Sequence, residues 1–160
     1  MRELRINPKK DLVFNPKVRE MCKSCKRYGK NANCPPHIDL VEYYDGLLRQ
    51  YTYGVFYYEE FVVEGDWAKQ GRSSSLKLHK HIIVERLRLF SEGHYFITAF
   101  GAGSCKLCTE CTFPCPKPDK SLIPIEAAGL DVIATMAKQG IEIRVPVRRH
   151  FYRVGIIFYD

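Results

Sequence analysis

No apolar run in this chain approaches the roughly 20 residues that a bilayer-spanning helix needs, so no membrane span is expected. The opening stretch, MRELRINPKKDLVF, is charged and lacks the apolar core of an export signal, which makes a cytoplasmic location the expectation. Disulfide pairing is poorly served by an odd count of seven cysteines, and in a reducing compartment such a count points to metal ligation. Nucleotide loops are missing as well: Gly101-Ala102-Gly103 lacks the remaining spacing of a dinucleotide fingerprint. No acid–base–nucleophile constellation marks a reaction, and His37, His79 and Glu110 are catalytic candidates by residue type alone. Acidic residues are scarce only at the start. Ten Lys/Arg in residues 1–30 face Glu3, Asp11 and Glu20, whereas residues 31–160 carry fifteen of each sign, so the formal net charge of +7 is N-terminal. Nucleic-acid binding by that basic stretch is an alternative reading, with no recognised motif beside it.

The length of 160 residues suits one domain with room for a proper core. Residues 1–20 read as an irregular basic arm broken by Pro8 and Pro16. Ile38–Gln50 has helical spacing of Leu40, Val41, Tyr44, Leu47 and Leu48, with Asp39 as its cap. Tyr51–Val63 is β-branched and aromatic and predicts a strand, its tyrosines serving core and sheet surface rather than base stacking. Glu64–Arg72 reads as a loop carrying Trp67, and Ser73–Ser75 then opens a helix over Leu76–Ser91 with Leu76, Ile83, Leu87 and Phe90 as its buried stripe. His79 and His81 are two residues apart and diverge on a helix, so they are read as solvated or partly buried rather than as a joint metal site. Further strands are expected at His94–Phe100, Ile141–Val147 and Phe151–Tyr159, with a helix at Ile125–Gln139. Arg144, Arg148, Arg149, His150 and Arg153 fall at the turn between the last two strands and read by default as a solvated hairpin tip, with docking to an acidic partner as the sharper alternative. The expected class is α/β (α+β): a two-layer sandwich of helices on a mixed or antiparallel sheet, interrupted by two cysteine-rich loops.

Those loops carry the chemistry. Cys105–Pro116, CKLCTECTFPCP, places Cys105, Cys108, Cys111 and Cys115 in the pattern C-x-x-C-x-x-C-x-x-x-C-P, the ligand run of bacterial-type ferredoxins. Three cysteines two residues apart on a tight loop can wrap three corners of an iron–sulfide cube, with backbone N–H groups turned toward the sulfides. The fourth stands off before its proline, and in two-cluster ferredoxins it ligates the other cluster. A zinc loop or plain thiols are the alternatives. Upstream, Met21–His37 supplies Cys22, Cys25 and Cys34, a second three-thiolate set, with His37 as a possible fourth ligand of a Cys3His zinc site.

CKSCKRYGKNANCPPH at residues 22–37 and GAGSCKLCTECTFPCPKPDKSLIPIEAAGLDV at 101–132 together resemble a cysteine-rich archaeal and bacterial family known only as predicted metal-binding proteins, a domain of unknown function. The resemblance spans most of the chain and implies metal binding through both motifs with no settled reaction. Two fully thiolate-ligated cubanes need eight cysteines, and seven are present. One arrangement gives Cys105, Cys108, Cys111 and Cys115 one cubane and leaves Cys22, Cys25 and Cys34 a metal with one non-cysteine position. In a second, Cys115 crosses to the N-terminal trio. In a third, one site is zinc completed by His37. The expected function is therefore an iron–sulfur protein with one or two 4Fe–4S clusters, working with a redox partner protein or larger complex in electron transfer or cluster-dependent redox chemistry or assembly. A zinc-stabilised binding module with a basic docking arm is the alternative.

Overall fold

The computed structural model describes residues 1–160. Five strands form one mixed sheet in the order β1-β2-β5-β3-β4, where β1 is Arg2–Ile6, β2 Tyr53–Val62, β3 Ile97–Gly101, β4 Ile123–Pro124 and β5 His150–Tyr159. β1–β2, β2–β5 and β5–β3 are antiparallel, and β3–β4 is parallel. Five helices accompany it: α1 (Pro8–Asp11), α2 (Pro16–Glu20), α3 (Val41–Leu48), α4 (Trp67–Ser91) and α5 (Val132–Lys138). The fold is thus mixed α+β, helices on a mixed sheet, as the hydrophobic patterning predicts. No helix is long and apolar enough to cross a membrane.

Period-two alternation in the two long strands sends apolar side chains to opposite faces. Phe56, Tyr58, Val154, Ile156 and Phe158 point one way, where they meet Tyr44 and Leu48 of α3 and Met136 of α5. Val55, Tyr57 and Ile157 point the other way, onto Leu78, Ile82 and Leu89 of α4. Helices therefore cover both faces, which adds a helical layer to the two expected. α4 comes close to the sheet at Gly101, where a Cβ would lie 2.5 Å from Nε2 of His79, so the end of β3 accepts the helix only as glycine.

Several elements depart from the sequence expectation. The N-terminal stretch is not an irregular arm: Arg2–Ile6 pairs with β2 over its whole length, and Asn7 and Asn15 cap α1 and α2 through bonds to the Lys9 and Lys17 amides. β1 is an edge strand with only Ile6 buried, so its sequence carries almost no apolar signal. Leu40, not Asp39, precedes the first turn of α3, and it supplies no side-chain cap; Asp39 instead offers its carbonyl to Arg19 of α2. α4 begins at Trp67, inside the expected loop, because Asp66 caps it through the amides of Ala68 (2.9 Å) and Lys69 (3.2 Å). Its buried stripe is Ser74, Ser75, Leu78, His79, Ile82 and Leu89, while Leu87 and Phe90 are exposed. The expected helix 125–139 is split: a short 3-10 helix, Glu126–Ala128, ends at Gly129 with φ +83°, and Asp131 caps α5 afresh. Ile141–Val147 forms no strand; Ile141 and Ile143 pack on the core as coil, since β5 already has β2 and β3 on its two edges. Arg153 consequently leaves the expected surface cluster. Its guanidinium is directed to α4, donating to Ser74 Oγ (3.1 Å) and the Gly71 carbonyl (3.2 Å).

Candidate metal centre

The N-terminal cysteine loop is a succession of tight turns. A 3-10 helix, Met21–Ser24, carries Cys22 and closes with the Cys25 amide on the Cys22 carbonyl at 3.0 Å. The Gly29 amide then reaches the Pro35 carbonyl at 2.9 Å, and the Cys34 amide the Asn31 carbonyl at 3.1 Å, which folds Cys34 back into the protein. Arg19 of α2 holds the exit of the loop by donating to the Ile38 carbonyl at 3.4 Å. The loop as a whole is fixed by a zipper formed far away in sequence. Phe14 bridges Leu130, the Asn15 amide donates to Gly129 at 2.9 Å, and the Asp131 amide to Val13 at 2.8 Å. This pairing brings the chain leading into Cys22 to the 3-10 helix that starts at Glu126.

The second loop leaves the end of β3. His79 anchors its start by donating from Nε2 to the Ala102 carbonyl at 3.1 Å. Burial, reinforced by Lys106 and Arg153, pushes this imidazole down to about 4, so it is neutral at pH 7. From there residues 102–122 run without regular structure until β4 closes beside β3, and the Ile125 amide bonds the Gly101 carbonyl at 3.1 Å.

The two loops meet. The Ala32 amide of the first donates to Cys111 Sγ of the second at 3.3 Å, and the His37 and Phe113 rings pack with centroids 4.5 Å apart. Cys22, Cys25 and Cys34 line a cavity of about 190 Å³. Cys105, Cys108, Cys111 and Cys115 line a second, of about 660 Å³. Gly103 and Ser104 belong to both walls, so the cavities are neighbours. No three His, Cys, Asp or Glu side chains converge tightly enough to chelate a single metal ion; the thiols are arranged around cavity walls instead. All seven cysteines are free thiols. Burial pushes Cys34 up to about 11, with further contributions from Cys25, Cys22, Cys105 and Cys111, members of both sets. Cys22 is raised by burial first, then by Glu126 and Cys25. The Arg27 amide donates to Cys25 Sγ at 3.4 Å.

The larger cavity is cationic: Arg27, Arg72, Lys106 and Lys117 line it, and no carboxylate does. Lys106 is held below its ordinary range mainly by burial and then by Arg153, with Cys105 opposing. Four thiolates gathered on a metal group would leave net negative charge, which such a lining would offset. The donors present are cysteine sulfurs, which would bind a metal as soft thiolates.

Other candidates lie outside these walls. His37 turns its Nε2 to the Gly29 carbonyl at 3.0 Å, His79 sits behind the second loop, and Glu110 is exposed. Glu126, which lines the smaller cavity, is the residue that sequence reasoning missed. Its only signal is a lone carboxylate within the otherwise apolar run Ile123–Leu130.

Thiol-lined cavities on a cysteine-rich α+β domain are what a predicted metal-binding protein would present. The match to a family model gives the family: residues 5–159 fit the predicted metal-binding proteins called DUF2284, and the chain belongs to it. Neither the curated proteins nor the solved structures gave a significant match.

Proposed function

We propose that this chain is an iron–sulfur protein acting in electron transfer or in cluster-dependent redox chemistry or assembly. The observation that carries the reading is the division of seven cysteines between two adjoining cavities, four and three. Ligands distributed around a wall suit a body of several atoms, whereas a lone zinc ion with bonds of about 2.3 Å draws its sulfurs together. Cys115 lines the same cavity as Cys105, Cys108 and Cys111, which favours one cubane held by these four thiolates over a crossed arrangement. Cys22, Cys25 and Cys34 would hold a second cluster. Bound there, a 4Fe–4S centre supplies one-electron chemistry at a potential set by hydrogen bonds to sulfur, nearby charge and solvent access. The chain's own contributions to that setting are the Ala32 and Arg27 amides, which reach Cys111 and Cys25, and the cationic lining. An electron carrier also needs a partner, and the exposed segment with Arg144, Arg148 and Arg149 would suit an acidic one.

Anaerobic isolation tests the reading. Visible charge-transfer absorption together with iron and acid-labile sulfide is expected. Colourless protein containing zinc would replace it with the zinc-stabilised module.

A further inference from the structure

The smaller cavity has three thiols, and a cubane has four irons to satisfy. The missing ligand must come from this wall, from outside the chain, or from Cys115. Cys115 lines the neighbouring cavity with its own set, and His37 directs its Nε2 away to the Gly29 carbonyl. Among the remaining residues of the smaller wall, most are apolar or lack a side-chain donor. Tyr28, Ser104 and Glu126 are the oxygen donors, and Glu126 is the only carboxylate.

Glu126 is exposed to solvent and lines the smaller cavity, on a 3-10 helix whose next two residues, Ala127 and Ala128, are buried. The surrounding protein gives it no side-chain partner within ion-pair distance: the cation whose field reaches it is Arg153, whose Nε and Nη2 are directed to Ser74 and Gly71. Its position is also rigid. β4 precedes it, the Ile125 amide is bonded to Gly101, and Gly129 in the left-handed conformation closes the turn with its amide on the Glu126 carbonyl at 3.0 Å. The Phe14–Leu130 pairing then brings the entry to the Cys22 loop alongside. A carboxylate in this setting is a hard, exchangeable ligand for iron beside three thiolates.

We propose that Glu126 is the fourth, oxygen ligand of the site formed by Cys22, Cys25 and Cys34. The assignment rests on the iron–sulfur reading above. It explains why seven cysteines serve two clusters, and it makes one iron of the N-terminal cluster chemically distinct from the other three and open to ligand exchange.

The test is Mössbauer and electron paramagnetic resonance spectroscopy of anaerobically reconstituted full-length chain, with iron and sulfide counted, for wild type, Glu126→Gln and Glu126→Cys. Wild type should show one oxygen-ligated iron subsite. Glu126→Gln should lose about one iron per chain while sulfide is retained, with a three-iron signal in the oxidised state. Glu126→Cys should keep the full iron content and lose the distinct subsite. Circular dichroism establishes that each variant is folded, and Glu126→Cys remains informative if the glutamine variant is not. Loaded wild type whose spectra and iron count are unchanged by both substitutions overturns the Glu126 assignment and leaves the iron–sulfur reading intact. Wild type that takes up neither iron nor sulfide overturns the iron–sulfur reading, and the assignment falls with it.

Discussion

At Gly129 the backbone stands at φ +83°, and a Cβ would approach both Cγ atoms of Val41 to 2.6 Å. Left-handed backbone and overpacking each cost an alanine about 1–2 kcal/mol or more. Gly129→Ala should therefore lower stability by roughly 3 kcal/mol, read as a lower urea midpoint at constant slope. A smaller fall, within 0.5 kcal/mol or so, would mean that the turn carrying Glu126 is not rigid. His79 makes a second prediction at this scale. Its folded pKa, about 4, lies below the ordinary 6.5, so the unfolded chain binds the proton more readily. Lys106 from the cysteine loop and Arg153 from β5 face it and add to the penalty for charging it. The contribution is complete above pH 6.5 and is lost as pH falls from about 6.5 to about 4. Urea midpoints of wild type and His79→Gln, compared across that window, should show the wild type losing more stability on acidification. Parallel curves would remove the buried neutral imidazole from the account.

Among the elements, α4 shows best what patterning can and cannot reveal. Counting apolar residues put Leu87 and Phe90 on its buried face, but the helix is turned so that Ser74, Ser75 and His79 are inside. Two of those polar residues are buried for a reason that hydropathy does not register: Arg153 donates to Ser74, and His79 reaches the Ala102 carbonyl across Gly101. The phase of the helix follows. Ile82→Ala should cost about 3 kcal/mol, as expected for an isoleucine with no exposure, whereas Leu87→Ala should stay within about 0.5 kcal/mol. Equal effects in thermal or urea unfolding would contradict this orientation. β2 and β5 are legible as long aromatic and β-branched runs, because ten residues paired with each other over their whole length at the centre of the sheet leave a strong pattern. β1 and β4 are not: one is a charged edge strand and the other has two residues including Pro124. The missing strand at 141–147 has the same origin, since local sequence cannot tell that both edges of β5 are taken.

For the molecule as a whole, cysteine spacing made the ligand candidates legible, while their partition into two neighbouring cavities depends on contacts between distant segments. Spacing cannot show that Val13–Asn15 pairs with Gly129–Asp131, and it is this pairing that brings Glu126 to the wall shared with Cys22. The two-cavity arrangement predicts separable lesions. Cys34→Ser should perturb the N-terminal cluster and spare the signal of the other, and Cys115→Ser the reverse; loss of the same signal in both variants would mean a single shared centre. The central claim is that these thiols gather iron and sulfide, and it is tested most directly by quantifying both in chain isolated and kept free of oxygen. Two cubanes predict roughly eight iron and eight acid-labile sulfide per chain. Chain that carries neither, and takes up neither on reconstitution, would contradict the account.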